Sequence, residues 1–139
     1  CEAELPADIA VCAAAVADWR VADAVSQKLK KDGAKPALEL IENPDILATL
    51  SKAGNRRPRL VVGFAAETDN LIANATVKLA RKGCDWLVAN EVGEGKAFDQ
   101  DENEVTLLRK TGAENWERQS KHNIARQLAD EIVTFFNAA

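Results

Sequence analysis

Three runs in this chain of 139 residues are apolar without alternating: Asp8 to Ala17, Leu60 to Ala65, and Trp86 to Ala89. A strand with one wet face alternates apolar and polar residues, whereas a strand apolar at successive positions is covered on both faces. Segments with helical spacing separate the runs. Leu71, Ala75 and Leu79 recur every fourth residue in a helix predicted over 68–82, and Gly83 is its natural stop. Strands alternating with helices predict an α/β fold, Rossmann-like, with a mainly parallel sheet in three layers.

The other elements fill in that plan. Residues 37–42 alternate and predict a strand with one solvated face. Asn43-Pro44-Asp45 then opens a helix, with Asn43 as N-cap, Pro44 at the first helical position, and Asp45 suited to the positive helix start. Ile46, Leu47 and Leu50 supply its apolar face and Gly54 ends it. Residues 104–109 predict another strand. Ser120 caps a last helix running to about Asn137, with Ile124, Leu128, Ile132, Val133 and Phe136 turned inward. Residues 20–35 are polar, contain Gly33, and suggest a loop or short edge strand. No glycine-rich phosphate loop stands between a strand and a helix, so the first βα unit of such a sheet is expected to be missing.

Composition narrows the function classes. With 47% hydrophobic and 29% charged residues the chain reads as one ordinary globular domain, 1–139, and no apolar run approaches the roughly 18 residues of a membrane span. A net charge of −4 disfavours binding to nucleic acid or a membrane surface through the overall field. Cys1, Cys12 and Cys84 are odd in number and lack CxxC spacing, so a disulfide framework is not expected; Cys12 and Cys84 read as buried thiols. There is no methionine. Together these features lead to the expectation of a piece of a larger cytoplasmic protein.

Ligands of open α/β sheets bind outside the carboxyl ends of the strands. That rule selects Ala14 to Asp18, Phe64 to Thr68, and Asn90 with Glu91. Asp18 could accept hydrogen bonds from a sugar hydroxyl, hold a metal, or simply cap a turn. Lys78 and Lys82 project from one helix face and could hold a polyphosphate as two point charges, or form a solvated face. Their mutual repulsion asks for a partner, and Asn74, one turn back from Lys78, is neutral. Lys28, Lys30 and Lys31 fit an edge strand protected by lysine, and equally a basic flap hinged at Gly33. His122 has no nucleophile in view, and spacing for a Cys/His metal site is absent. Glu67 and Asp69 read as caps of the following helix. Trp19, Trp86 and Trp116 read as packing residues, with Trp19 also placed to line a pocket mouth.

The order of several short motifs resembles one family. They are Ala14-Ala15-Val16-Ala17-Asp18-Trp19-Arg20, Lys28-Leu29-Lys30-Lys31, Asn43-Pro44-Asp45-Ile46 and Gly63-Phe64-Ala65-Ala66-Glu67-Thr68. Lys78, Lys82, Ala89-Asn90, Phe98, Asp101, Asn103 and Val105 continue the series. Across nearly its whole length the chain is similar to bacterial phosphopantothenoylcysteine synthetase, the phosphopantothenate–cysteine ligase that forms the C-terminal half of a bifunctional coenzyme A biosynthesis protein. The resemblance implies a cytoplasmic, dimeric enzyme that uses CTP and Mg²⁺ to join 4′-phosphopantothenate to L-cysteine through an acyl-cytidylate. It implies an FMN-dependent decarboxylase domain upstream, and dimerisation through an added strand arm, for which residues 28–42 are the candidate.

Position by position, the resemblance places Asp18 near the sugar and base, and Lys28 on the flap, reaching the phosphates as the catalytic lysine. Pro44, Asp45, Ile46 and Leu47 would face the nucleotide, Phe64 would pack beside cytosine, and Lys78 and Lys82 would hold the triphosphate. Backbone groups around Cys12 to Ala14 would read the base. Trp19 departs mildly from the family, where Tyr is common. The family's first strand, Gly-rich turn and an Asn acting on the acyl-cytidylate have no counterpart in these residues. A non-catalytic nucleotide-binding fragment and a Rossmann-type NAD(P)-binding oxidoreductase domain are the alternatives.

Overall fold

The computed structural model describes residues 1–22, 38–92 and 101–138. Within them a five-stranded sheet has the order β1-β4-β5-β6-β7, formed by β1 (Ile9–Cys12), β4 (Leu60–Glu67), β5 (Trp86–Glu91), β6 (Glu102–Arg109) and β7 (Gly112–Ser120). A separate antiparallel pair joins β2 (Trp19–Val21) to β3 (Leu40–Glu42). The helices are α1 (Ile46–Ser51), α2 (Leu71–Lys82) and α3 (Lys121–Asn137).

β1, β4 and β5 pair in parallel, while β6 runs antiparallel to β5 and β7 antiparallel to β6. Within the five-stranded sheet every strand except β6 therefore points one way. Alternate residues of the sheet enter two cores. Leu60, Val62, Trp86, Val88, Val105, Leu107 and Trp116 pack against Ile124 and Leu128 of α3. Val61, Ala65, Leu87, Ala89 and Leu108 pack against Ala75 and Leu79 of α2, with Leu47 of α1 and Leu71 alongside. The result is the expected three-layer α/β arrangement. It also explains the unalternating runs of β4 and β5, whose two faces are both covered.

Some local expectations are corrected. β1 is four residues long, not ten, and lies at the sheet edge with Ile9 and Val11 exposed at 37% and 46%. Cys12 is only half-buried, whereas Cys84 is buried. β7 carries a single buried residue, Trp116, so its polar sequence gave no strand signal. α2 starts three residues later than expected, behind Asn70, and ends as expected at Gly83, whose φ of +73° suits a residue without a Cβ. α1 ends at Ser51, and Gly54 opens a 3₁₀ turn, Gly54–Arg56. α3 begins at its expected cap, with Ser120 accepting from the Asn123 amide, but Val133 is exposed and Phe135 packs inward instead.

Candidate functional site

The carboxyl ends of β1, β4 and β5 open on a cleft of about 420 Å³, a size suited to a small organic ligand. Ala13, Ala14 and Ala15, just beyond β1, line it with Phe64, Ala66 and Asn90. The first residues of α2 and α3, Leu71 and Lys121, also face it. Two helix N-termini, each carrying partial positive charge, therefore border the opening. Phe64 follows four buried residues of β4 and precedes buried Ala65, yet is 40% exposed. A half-open aromatic face in a cleft offers a planar ring something to pack on.

The two lysines of α2 are not unpartnered. Lys78 Nζ lies 2.9 Å from Glu67 Oε1, at the carboxyl end of β4, and the Lys82 ammonium is ion-paired with Asp45. The missing partner for Lys78 thus comes from the sheet, across the fold, rather than from its own helix. Glu67 is in β4 and does not cap α2, whose N-cap is Asn70. Asp45, not Asn43, caps α1, accepting from the Ala48 amide at 3.0 Å. Burial raises the Asp45 carboxyl, but its bonds to Lys82 and the Ala48 amide outweigh that and hold it below the ordinary carboxylate range.

Asn43 has a different task from the expected cap. Its amide donates to the Ala17 carbonyl at 2.8 Å and its oxygen accepts from Arg20 at 3.1 Å, while its backbone N–H donates to the Asp18 carbonyl at 2.8 Å. These bonds fasten the loop after β1 to the entry of α1. Pro44 accordingly precedes the helix. Asp18 is exposed on that loop, Trp19 is exposed at the start of β2, and Ile46 is 36% exposed at the start of α1. Leu47 turns inward and packs over Gly63. Of the expected site residues, Ala14 and Phe64 line the cleft; Asp18, Pro44, Asp45, Ile46, Leu47, Lys78 and Lys82 are not part of its lining. Lys28, with Leu29, Lys30, Lys31 and Gly33, lies outside the described residues, as does Phe98.

The wall on the β6–β7 side was not foreseen. Glu104, Thr106 and Asn115 line it. Thr106 is nearly buried, and its hydroxyl donates to Asn115 Oδ1 at 3.2 Å; Asn115 Nδ2 donates in turn to Glu104 Oε1 at 3.1 Å. The sequence signal that could have found β7 is Thr111-Gly112, a turn following a strong strand. Among the described residues no three His, Cys, Asp or Glu side chains converge on one point. These residues therefore offer no ready protein cage for a metal ion.

An α/β sheet with a cleft across its strand ends, bordered by two helix starts, is the architecture of the open-sheet α/β class. Residues 1–136 match the family model for the DNA/pantothenate metabolism flavoprotein C-terminal domain, and the chain belongs to that family. Curated relatives include the coenzyme A biosynthesis bifunctional protein CoaBC of Mycobacterium tuberculosis, 45% identical and covering 93% of this chain and 33% of its own length. The CoaBC of Haemophilus influenzae is 40% identical and covers 95% and 33%. The chain thus spans about a third of the length of the curated relatives it matches. A crystal structure of the C-terminal domain of CoaBC superposes with a TM-score of 0.70 at 30% identity, covering 95% of this chain and 56% of that one. The DNA/pantothenate metabolism flavoprotein of Streptococcus pneumoniae, at 19% identity and a TM-score of 0.71, shares the fold, covering 92% of this chain and 63% of its own. No helix among the described residues is long and apolar enough to cross a membrane.

Proposed function

We propose that this chain carries the nucleotide site of a phosphopantothenate–cysteine ligase of coenzyme A biosynthesis. In this reading CTP activates the carboxylate of 4′-phosphopantothenate as an acyl-cytidylate, releasing pyrophosphate, and the amine of L-cysteine then displaces CMP. The observation that carries it is the cleft at the strand ends, with Ala14 and the open ring of Phe64 in its lining; in this reading Lys78 and Lys82 of α2 reach the triphosphate. Phe64 packs on cytosine in this reading, and backbone groups near Cys12 to Ala14 read its edge. Glu67 and Asp45 keep the lysines neutralised until a more highly charged triphosphate takes them over.

Two anionic substrates must meet, so cations have to offset their repulsion. The lysines do part of this, and Lys28 completes it from its own segment as the catalytic lysine. Mg²⁺ would travel with the triphosphate, since the described residues supply no cage for it. A cytoplasmic homodimer joined to an FMN-dependent decarboxylase unit is the setting we propose.

Titration of the protein with CTP, ATP and NADPH, followed by thermal unfolding, tests the reading. CTP is expected to raise the melting temperature most, and Lys78→Ala/Lys82→Ala to abolish that rise. Stabilisation by NADPH in preference to CTP would overturn it.

A further inference from the structure

We propose that Glu104, positioned by Asn115, receives the α-ammonium group of the cysteine that this site joins to its acyl partner; the assignment rests on the ligase reading above. β6 and β7 lose register between Asn103 and Val105, leaving Glu104 outside the ladder. Irregularities of this kind re-aim a side chain and recur beside active sites. Here the irregular point is braced, because the Glu104 amide donates to Asn103 Oδ1 at 2.9 Å. The Glu104 carboxylate faces the cleft, and the Thr106–Asn115 chain fixes one of its oxygens. Among the described residues no hydrogen bond holds its second oxygen, which can accept from a ligand.

The chemistry of the three substrates selects the occupant. CTP and 4′-phosphopantothenate are anions, and a fixed carboxylate repels both. Cysteine alone brings a cationic group. The other carboxylate of this stretch of β6, Glu102, is paired with Arg118 at 3.6 Å, which leaves Glu104 as the β6 group suited to an ammonium. Position agrees as well. Strand pairing sets Phe64 level with Val88 and so with Leu107 of β6, which puts Glu104 two strand spacings across and three residues along from it, roughly 14 Å away. A nucleotide base on Phe64 and an amine on Glu104 would then flank the acyl group from opposite sides.

The test uses the complete gene product with CTP, 4′-phosphopantothenate and either L-cysteine or hydroxylamine, a nucleophile that is uncharged at pH 7. Glu104→Gln is expected to raise KM for cysteine roughly ten- to a hundredfold, the size of one charge-assisted hydrogen bond. Hydroxamate formation should be unchanged, because it needs the acyl-cytidylate but no ammonium. Asn115→Ala, acting through Glu104, should raise the cysteine KM by a smaller factor and leave kcat intact. An unmoved cysteine KM in Glu104→Gln, or an equal fall with hydroxylamine, overturns the assignment while leaving the ligase reading in place. A wild-type protein that forms no hydroxamate overturns the ligase reading and this assignment together.

Discussion

Gly63 is where α1 presses against the sheet, and a single methyl group there tests the packing that sets α1. A Cβ at Gly63 would stand 2.5 Å from Leu47 Cδ2, 3.2 Å from its Cδ1 and 3.1 Å from Leu87 Cδ1. Carbon atoms rest at roughly 3.5–4.0 Å, so the methyl comes about 1 Å too close to Leu47. Leu87 is fully buried and has little room to yield. Leu47 must leave its rotamer, or α1 must back away. Overpacking of this kind costs about 1–3 kcal/mol. For a domain of this size each kcal/mol is worth roughly 3–5 °C, so Gly63→Ala should lower Tm by about 3–15 °C. In a Leu47→Ala background only the 3.1 Å approach to Leu87 Cδ1 remains. There the same methyl should cost clearly less, because the closest clash is gone and alanine also restricts the unfolded chain. Urea unfolding of the wild type, both single variants and the double variant would give a coupling of about 1–2 kcal/mol. Equal costs for Gly63→Ala in the two backgrounds would refute the reasoning.

Other expectations follow from particular contacts. Asp85 Oδ2 accepts from the Val61 amide at 2.8 Å and from Arg57 at 2.9 Å, and Arg57 also donates to the carbonyls of Ser51, Pro58 and Gly83. Asp85→Ala should therefore cost about 2 kcal/mol in denaturant melts, the partly exposed pair being discounted for solvent screening. Asp45→Asn keeps a good helix cap but removes the charge facing Lys82. A carboxyl held low in the folded state stabilises above its unfolded pKa of about 3.9 and loses that contribution as pH falls through its folded value. Wild type should thus exceed Asp45→Asn in stability at pH 7 and converge with it near pH 2; parallel curves would sink the ion-pair account. Burial pushes the Cys84 thiol up to about 11, so alkylation at pH 8 followed by mass spectrometry should label exposed Cys1 and spare Cys84 until the protein unfolds.

Much of this molecule was legible because its strongest signals are local. The apolar runs at Leu60 and Trp86 follow from burial on both faces, Gly83 from the left-handed conformation at a helix end, and Ser120 from an amide needing an acceptor. What misled were residues whose local and distant options compete. Asn43 is a good cap by composition, but its side chain is taken by Ala17 and Arg20, so the cap falls to Asp45. Glu67 is placed well to cap α2, but pairing with Glu91 on β5 keeps it in β4, ahead of the Asn70 cap, and Lys78 claims it. β7 escaped notice because an edge strand with one buried residue, Trp116, carries almost no periodicity.

The sequence by itself determined the α/β class, the helix ends marked by Gly83 and Ser120, and the family resemblance, all of which reside in neighbouring residues and in motif order. Only the tertiary structure decided which charges meet. Lys78 and Glu67 are eleven positions apart, Lys82 and Asp45 thirty-seven, and Glu104 and Asn115 eleven. No propensity or period links such positions. They meet because strand register and helix packing bring them within reach, and the shape and charge of the cleft follow from that register.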